Sequence, residues 1–421
     1  MMKKCIYIFL IMISSYNSIL ADSILIPMDL RQSDHLKAYG VAFWALENNI
    51  NVEWLLNFRG GSFLMDRYAE IEKVLRVRGV DYTIISGTEV SQIYATVEQQ
   101  NMEIVLLEKA PDVAIYQPEK ENKWDDAVAL ALDYAEITYT KLWDEEVLSD
   151  QLQKYDWLHL HHEDFTGQYG KFYRSFRNAA WYQENIKINE TLARKLGFAK
   201  VSKEKLAVSE KIRDFVLGGG FLFAMCSATD ALDIALAASN TDIVDAVFDN
   251  DQVDQDYRAR LDFSNCMAFE NFEIITDPMV YEYSDIDIPP SNAPVIRGAE
   301  ADYFTLFEFS AKYDQVPTML TQNHVSVIKG FMGQTTGFKR DKIKKTVTIL
   351  AEAEGTEQIK YLHGNLGRGT FTFLGGHDPE DYQHFVGDPP TQLSLHKNSP
   401  GYRLILNNIL FPAAKKKLRK T

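Results

Sequence analysis

Cys226 sits where two sequence patterns meet. Upstream, Gly218-Gly219-Gly220-Phe221-Leu222-Phe223-Ala224-Met225 is a glycine turn followed by a short apolar run. Downstream, Ala228-Thr229-Asp230-Ala231-Leu232-Asp233-Ile234-Ala235-Leu236 is alanine-rich with helical spacing. A strand that passes straight into a helix makes a sharp elbow, which lifts one side chain off the sheet. The positive end of the next helix then faces that side chain, and a thiol there is expected to gain thiolate character. The turn is crowded, and Ala224, Ser227 and Ala228 are correspondingly small. The chemistry expected is nucleophilic attack by Cys226 on a carbonyl, with the Ser227 backbone N–H donating to the oxyanion.

A thiol nucleophile needs a base and a group to orient that base. Gly375-Gly376-His377-Asp378-Pro379-Glu380 ends a second strand candidate at a Gly-Gly turn. His377 fits as base, with Glu380 orienting it and Asp378 in reserve. The alternative is a loop histidine among solvated acids.

A third cluster, His159-Leu160-His161-His162-Glu163-Asp164, closes another strand candidate. Ligands of open α/β sheets gather at such strand ends. His161, His162, Glu163 and Asp164 are therefore candidate substrate-binding residues. His159 and His161 share a face by strand alternation. With His384, or with His377 or Asp378, they form a candidate site for a divalent metal such as zinc. A hydrogen-bonded network on the pocket floor is the other reading. Arg59, beside Gly60 and Gly61, is a candidate anion cradle, and Asp29 at the end of the first strand candidate faces the same cleft. Phe165, Tyr169, Phe172, Tyr173, Phe176, Trp181 and Tyr182 read either as core or as a wall for stacking sugars.

The elements that must position these residues alternate between strand and helix. Strand candidates at 23–28, 52–56 and 81–85 and helix candidates from Ser33 and over 66–79 predict an N-terminal α/β domain, 22–110, with a parallel sheet. Residues 57–62 read as a loop. A second α/β domain is expected over 111–414. It has strand candidates at 112–116, 139–143 and 155–161, helix candidates at 124–137 and 203–217, and the elbow. Residues 165–201 read as a long polar and aromatic stretch. Residues 240–340, rich in Asp, Pro and aromatics, read as an insertion. Strand candidates return at 346–352, 358–363 and 369–374, and Ser399-Pro400 opens a final helix with a cap and a first-turn proline.

At this level the chain resembles the class I glutamine amidotransferase-like superfamily over residues 111–414. The resemblance rests on the strand order, the glycine-led elbow at Cys226 and the late strand into His377. It implies a flavodoxin-like α/β fold and a Cys–His–Glu triad. That superfamily places its histidine in His-Pro-Glu, whereas this chain has His377-Asp378-Pro379-Glu380. Its elbow reads Gly-x-Cys-x-Gly, whereas this one is Ala224-Met225-Cys226-Ser227-Ala228. The loop after the 155–161 strand lacks the glycine pair that supplies an oxyanion donor in that layout. The closing segment is most similar to the ThuA-like branch, whose members include proteins linked to sugar utilisation and often lack a complete triad. The whole chain also resembles a group of secreted Bacteroidetes-type proteins called asparagine synthetase B. It has neither the N-terminal cysteine nor the Ser-Gly-Gly-x-Asp-Ser ATP loop of such a synthetase.

Composition sets the outer limits. The chain has 421 residues, of which 46% are hydrophobic and 12% aromatic, enough for two globular domains. Residues 1–21 predict a secretory signal. Lys3 and Lys4 precede a nine-residue apolar run over 5–13, too short to span a bilayer, and Ala21 is a cleavage residue. A periplasmic or secreted protein with no membrane span is expected. Without Lys3 and Lys4 the formal charge of −15 becomes about −17. That charge argues against a nucleic-acid partner and leaves a small-molecule substrate as the expected one. The basic residues of the 415–421 tail read as a solvated end. Past the signal only Cys226 and Cys266 remain, and an oxidising compartment leaves them either free or joined.

Overall fold

Residues 22–118, 126–288, 298–308, 310–314 and 325–414 are described in a computed structural model of the chain. The signal expected over 1–21 and the tail 415–421 lie outside them.

The N-terminal strands are β1 (Ser23–Ile26), β2 (Val52–Leu56), β3 (Ser62–Asp66), β4 (Thr83–Ile85) and β5 (Glu103–Leu107), in the order β4-β1-β3-β2-β5. Every pairing is antiparallel, which corrects the parallel sheet expected here. The cause is β3, which the sequence reading missed by placing a loop up to residue 62. The short turn at 57–61, with positive φ at Asn57, Arg59, Gly60 and Gly61, reverses the chain at once. A parallel pair would need a crossover of about a dozen residues or more. Helix Gly87–Gln99, closed by a Ser86/Glu89 capping box, was not foreseen either.

The second sheet contains β6 (Val113–Tyr116), β7 (Thr140–Leu142), β8 (Trp157–Leu160), β9 (Phe221–Met225), β10 (Tyr303–Leu306), β11 (Val327–Lys329), β12 (Phe338–Lys339), β13 (Thr348–Glu352), β14 (Gln358–Leu366) and β15 (Gly369–Leu374). Its order is β11-β10-β13-β14-β15-β9-β8-β6-β7, with β12 paired to β14. Strands β7, β6, β8, β9 and β15 are mutually parallel. Strands β14, β13, β10 and β11 extend them antiparallel. The sheet is therefore mixed, not purely parallel. Strands β6, β8 and β15 are buried along their whole length, and β9 all but its first residue, as expected for strands covered by helices on both faces.

Two further differences bear on the site. The stretch 165–201 contains the helix Ala180–Lys195, whose buried positions are few and widely spaced. Phe165, Tyr169 and Tyr182 are core, whereas Phe172, Phe176 and Trp181 pack on one another at its edge. In the region read as an insertion, β10 and β11 lengthen the second sheet, and the chain then crosses back over the elbow. The last helix, Pro400–Leu410, begins as expected: Ser399 Oγ accepts the Tyr402 N–H at 3.3 Å. It packs against helices His35–Glu47 and Ala127–Ala135 and so ties the two sheets together. No helix among the described residues is long and apolar enough to cross a membrane.

Candidate functional site

Three parallel strands end at one place. Cys226 follows β9, His161 and His162 follow β8, and Gly375-Gly376-His377 follows β15. Two backbone bonds lock the ends together. The Cys226 N–H donates to the Gly376 carbonyl at 3.2 Å, and the Ala228 N–H donates to the His161 carbonyl at 3.2 Å. Gly376 has φ +103°, and a β-carbon there would strike Phe331, so only glycine delivers His377 from this turn.

The elbow exists as expected, with Cys226 in the left-handed region at φ +50°, an uncommon and strained state for a non-glycine residue. Its chemistry differs from the expectation. Cys226 is 3% exposed, and burial pushes the thiol up to about 11. The N–H groups of Gln334, Thr335 and Ser227 work in the opposite direction without offsetting that burial. The Gln334 N–H donates to Sγ at 3.3 Å. Cys226 and Cys266 are both free, so the pair is not a disulfide.

His377 reaches the histidines that follow β8. Its Nδ1 lies 3.1 Å from His161 Nε2. Glu380 pairs with His396, 2.9 Å from its Nδ1. Asp378 accepts the Tyr402 hydroxyl and the Glu380 N–H, both at 2.8 Å. These contacts tie the loop to His396 and to the last helix.

The histidines form one cluster, with His161 and His377 buried and His162 half-buried. His161, His162 and His377 bring a ring nitrogen each to within 4.8 Å of one another. Tetrahedral zinc with Zn–N bonds of about 2.0–2.1 Å implies nitrogen separations of roughly 3.3 Å. The 3.1 Å between His161 and His377 is close to that. Burial drives the pKa of His161 and His162 well below the usual histidine value, so both present lone pairs at neutral pH. Behind them lies a second group, Asp126, His159 and His161. The residues expected from sequence fall into three groups. His159 and His161 lie with Asp126, and His161 also lies with His162 and His377. His384 stacks on His377 at 4.6 Å and sends its Nδ1 to Asp381 at 2.8 Å, in a separate group with Asp388.

The other candidates are dispersed. The Glu163 carboxylate accepts the His161 N–H at 2.8 Å, and burial pushes its pKa up to about 8. Asp164 accepts from Thr166 and from the Gly170 N–H, which organises its own loop. Asp29 and Arg59 pair with each other at 2.7 Å. Arg59 lines a different recess, of 350 Å³, with Arg31, Thr83 and Glu89 on the first sheet.

Sequence reasoning missed Asp126 and the strap Gln334-Thr335-Thr336. Asp126 caps helix Ala127–Ala135, accepting the Val128 and Ala129 N–H groups, and an acidic residue just before an alanine-rich run was the available signal. Each strap residue fixes one buried group. Gln334 holds Cys226, the Thr335 hydroxyl donates to Asp230 at 2.9 Å, and the Thr336 N–H donates to Asp287 at 3.0 Å. No local pattern marks this strap.

Burial raises the Asp230 pKa to about 7, and Oδ2 of Asp230 has no bond among the described residues. A carboxyl with a raised folded pKa favours the fold while protonated. That stability is full below about pH 4 and is lost as pH rises through 7, by about 4 kcal/mol. Asp230→Asn is expected to flatten this fall between pH 5 and 8 in urea unfolding. Parallel curves for the variant and the wild type would refute it.

No protein-family model matches the chain, and no curated protein matches it. Among solved structures it is similar to the cytoplasmic protein STM3548 from Salmonella typhimurium, at 11% identity and TM-score 0.36, over 73% of this chain and 100% of that one. It is similar to the cytoplasmic protein STM1381 from Salmonella typhimurium LT2 at 12% identity and TM-score 0.31, over 75% and 91%. It is also similar to Gan42B, a GH42 beta-galactosidase, at 12% identity and TM-score 0.25, over 64% and 28%. Likenesses this distant carry no argument about function.

Proposed function

We propose that this protein is a metal-dependent hydrolase of a small carbonyl substrate, with a zinc-type cation on His161, His162 and His377. One observation carries the reading: three imidazole nitrogens within 4.8 Å of one another at the carboxyl ends of β8 and β15. Three protein ligands leave the fourth position of a tetrahedral ion for water or substrate. A bound ion of this kind supplies Lewis acidity and an activated water. The chain's own residues hold the ligands neutral, fix their order on locked strand ends, and keep water from the buried side. His162, the least buried of the three, marks the approach for a ligand. The test is zinc titration of the metal-stripped chain, followed by a hydrolysis screen. One equivalent bound with activity that depends on it is expected, and a wild type that takes up no zinc refutes the reading.

A second reading keeps the thiol. The strained elbow and the three N–H groups turned toward the sulfur support it, and attack by Cys226 on an amide would be its reaction. The two readings separate cleanly. With the thiol near 11, Cys226→Ala is expected to keep turnover within about threefold, and iodoacetamide to label the native thiol slowly at pH 8. Loss of turnover by several orders of magnitude on Cys226→Ala would favour the thiol instead.

The parallel strands run 2-1-3-4-5 in chain order, which supports a flavodoxin-like core of the amidotransferase-like or ThuA-like kind. Lys3, Lys4 and the apolar run after them support export to a periplasmic or extracellular location.

A further inference from the structure

Metal ligation by histidine depends on which ring nitrogen carries the hydrogen, and here the protein's heavy atoms decide it. His159 Nδ1 lies 3.0 Å from the Phe223 carbonyl on β9, a group that only accepts. In the neutral ring the hydrogen of His159 therefore sits on Nδ1, and Nε2 presents a lone pair. Asp126 Oδ1 lies 3.3 Å from that Nε2 and already accepts two helix N–H groups. Two acceptors thus face one another. His161 Nδ1 sits beside both, 3.3 Å from His159 Nε2 and 3.7 Å from Asp126 Oδ1. A hydrogen on His161 Nδ1 satisfies the pair, which leaves the lone pair of His161 on Nε2. Nε2 is the atom that faces His377, 3.1 Å away. Asp126, His159 and His161 are all at least 97% buried, so water does not supply the missing donor from outside.

We infer that His159 and Asp126 are positioning residues that fix the tautomer and ring orientation of His161, so that Nε2 is presented to a cation shared with His162 and His377. This rests on the metal reading of that site. The Phe223 carbonyl sets His159, His159 with Asp126 sets His161, and His161 meets the ion. Neither positioning residue touches the ion. Outer partners of this kind typically alter metal affinity by about 10–100-fold.

The experiment is zinc titration of the metal-stripped full chain, with Co²⁺ absorption as a second readout, on wild type, His159→Phe, His159→Gln and Asp126→Asn. His159→Phe is expected to weaken zinc by roughly 10–100-fold, with one equivalent still bound and an altered Co²⁺ spectrum. His159→Gln offers an amide oxygen to the same N–H and is expected to stay within about threefold of wild type. Wild-type affinity in a folded His159→Phe protein overturns the inference and leaves the metal reading standing. Equal weakening by Phe and Gln also overturns it, since acceptance of the His161 N–H would then be irrelevant. If His159→Phe does not fold, Asp126→Asn decides, because asparagine keeps the helix-cap acceptor. A loss of about tenfold supports the inference and unchanged affinity overturns it. A wild type that binds no zinc overturns the site reading itself, and the positioning role with it.

Discussion

His377→Ala is expected to abolish tight zinc binding and the turnover that depends on it. Removing it leaves two adjacent histidines on one strand end, with no ligand from β15. The geometry argues for a large effect. His377 is 6% exposed, and its place is fixed by a backbone bond to Met332 at 2.9 Å and by the glycine turn. A catalytic ion stabilises transition-state charge by several kcal/mol, so turnover is expected to fall by about 10³-fold or more. His161→Ala is expected to match it, since His161 belongs to both ligand groups. Burial holds His161 and His162 neutral, so these two ligands are expected to cost zinc little proton competition between about pH 6 and 8, where an exposed histidine would lose its lone pair to a proton. Calorimetric titration checks both statements. Zinc binding by His377→Ala at wild-type affinity, with native circular dichroism, would rule out the proposed ligand set.

The largest expected effect on stability is at Arg403, far from any nucleophile. Its side chain is fully buried in the last helix. Nε donates to the Tyr39 hydroxyl at 3.0 Å, Nη1 donates to the Met28 carbonyl at 3.0 Å, and Nη2 donates to the Gly60 carbonyl. One guanidinium thus satisfies two backbone carbonyls and a hydroxyl of the N-terminal domain from a helix at the other end of the chain. Arg403→Met keeps the apolar stem and removes all three bonds at once, leaving the Met28 carbonyl with His35 and the Tyr39 hydroxyl with Asn407. Breaking a buried charged network in this way costs about 3–5 kcal/mol. The exposed Arg194, in an i,i+4 pair with Glu190, is the control, and its replacement should cost less than about 1 kcal/mol. Denaturant midpoints for the two variants test the contrast. A wild-type midpoint for Arg403→Met would show that the interface between the two sheets is held by packing alone.

Parts of this fold were legible in the chain because local physics fixes them. The strand-to-helix passage at Cys226 needs only a change of hydrophobic period. The Ser399-Pro400 start needs only a capping hydroxyl and a first-turn proline. The Gly375-Gly376 turn needs only residues that tolerate positive φ. Other parts were hidden for an equally physical reason. An apolar run does not encode the direction of its neighbour, so the N-terminal strands read as parallel until the 57–61 reversal and β3 were seen. Residues 165–201 hid a helix because its exposed face dominates its composition.

The candidate site divides along the same line. Its residue types were on view: a thiol at an elbow, histidines at two strand ends, acids close by. Their partners were not, because hydrogen bonds between residues 216 positions apart leave no local signature. Sequence by itself determined that Cys226, His161, His162 and His377 would stand at the ends of buried strands, since hydrophobic runs and glycine turns dictate that. Only the tertiary structure decided which groups each meets there. The strap at 334–336 and the packed elbow remove water from the sulfur, and desolvation outweighs the helix N-terminus. The ends of β8 and β15, on either side of β9, bring His377 to His161. Burial and pairing act through space, and the order of residues along the chain does not contain them.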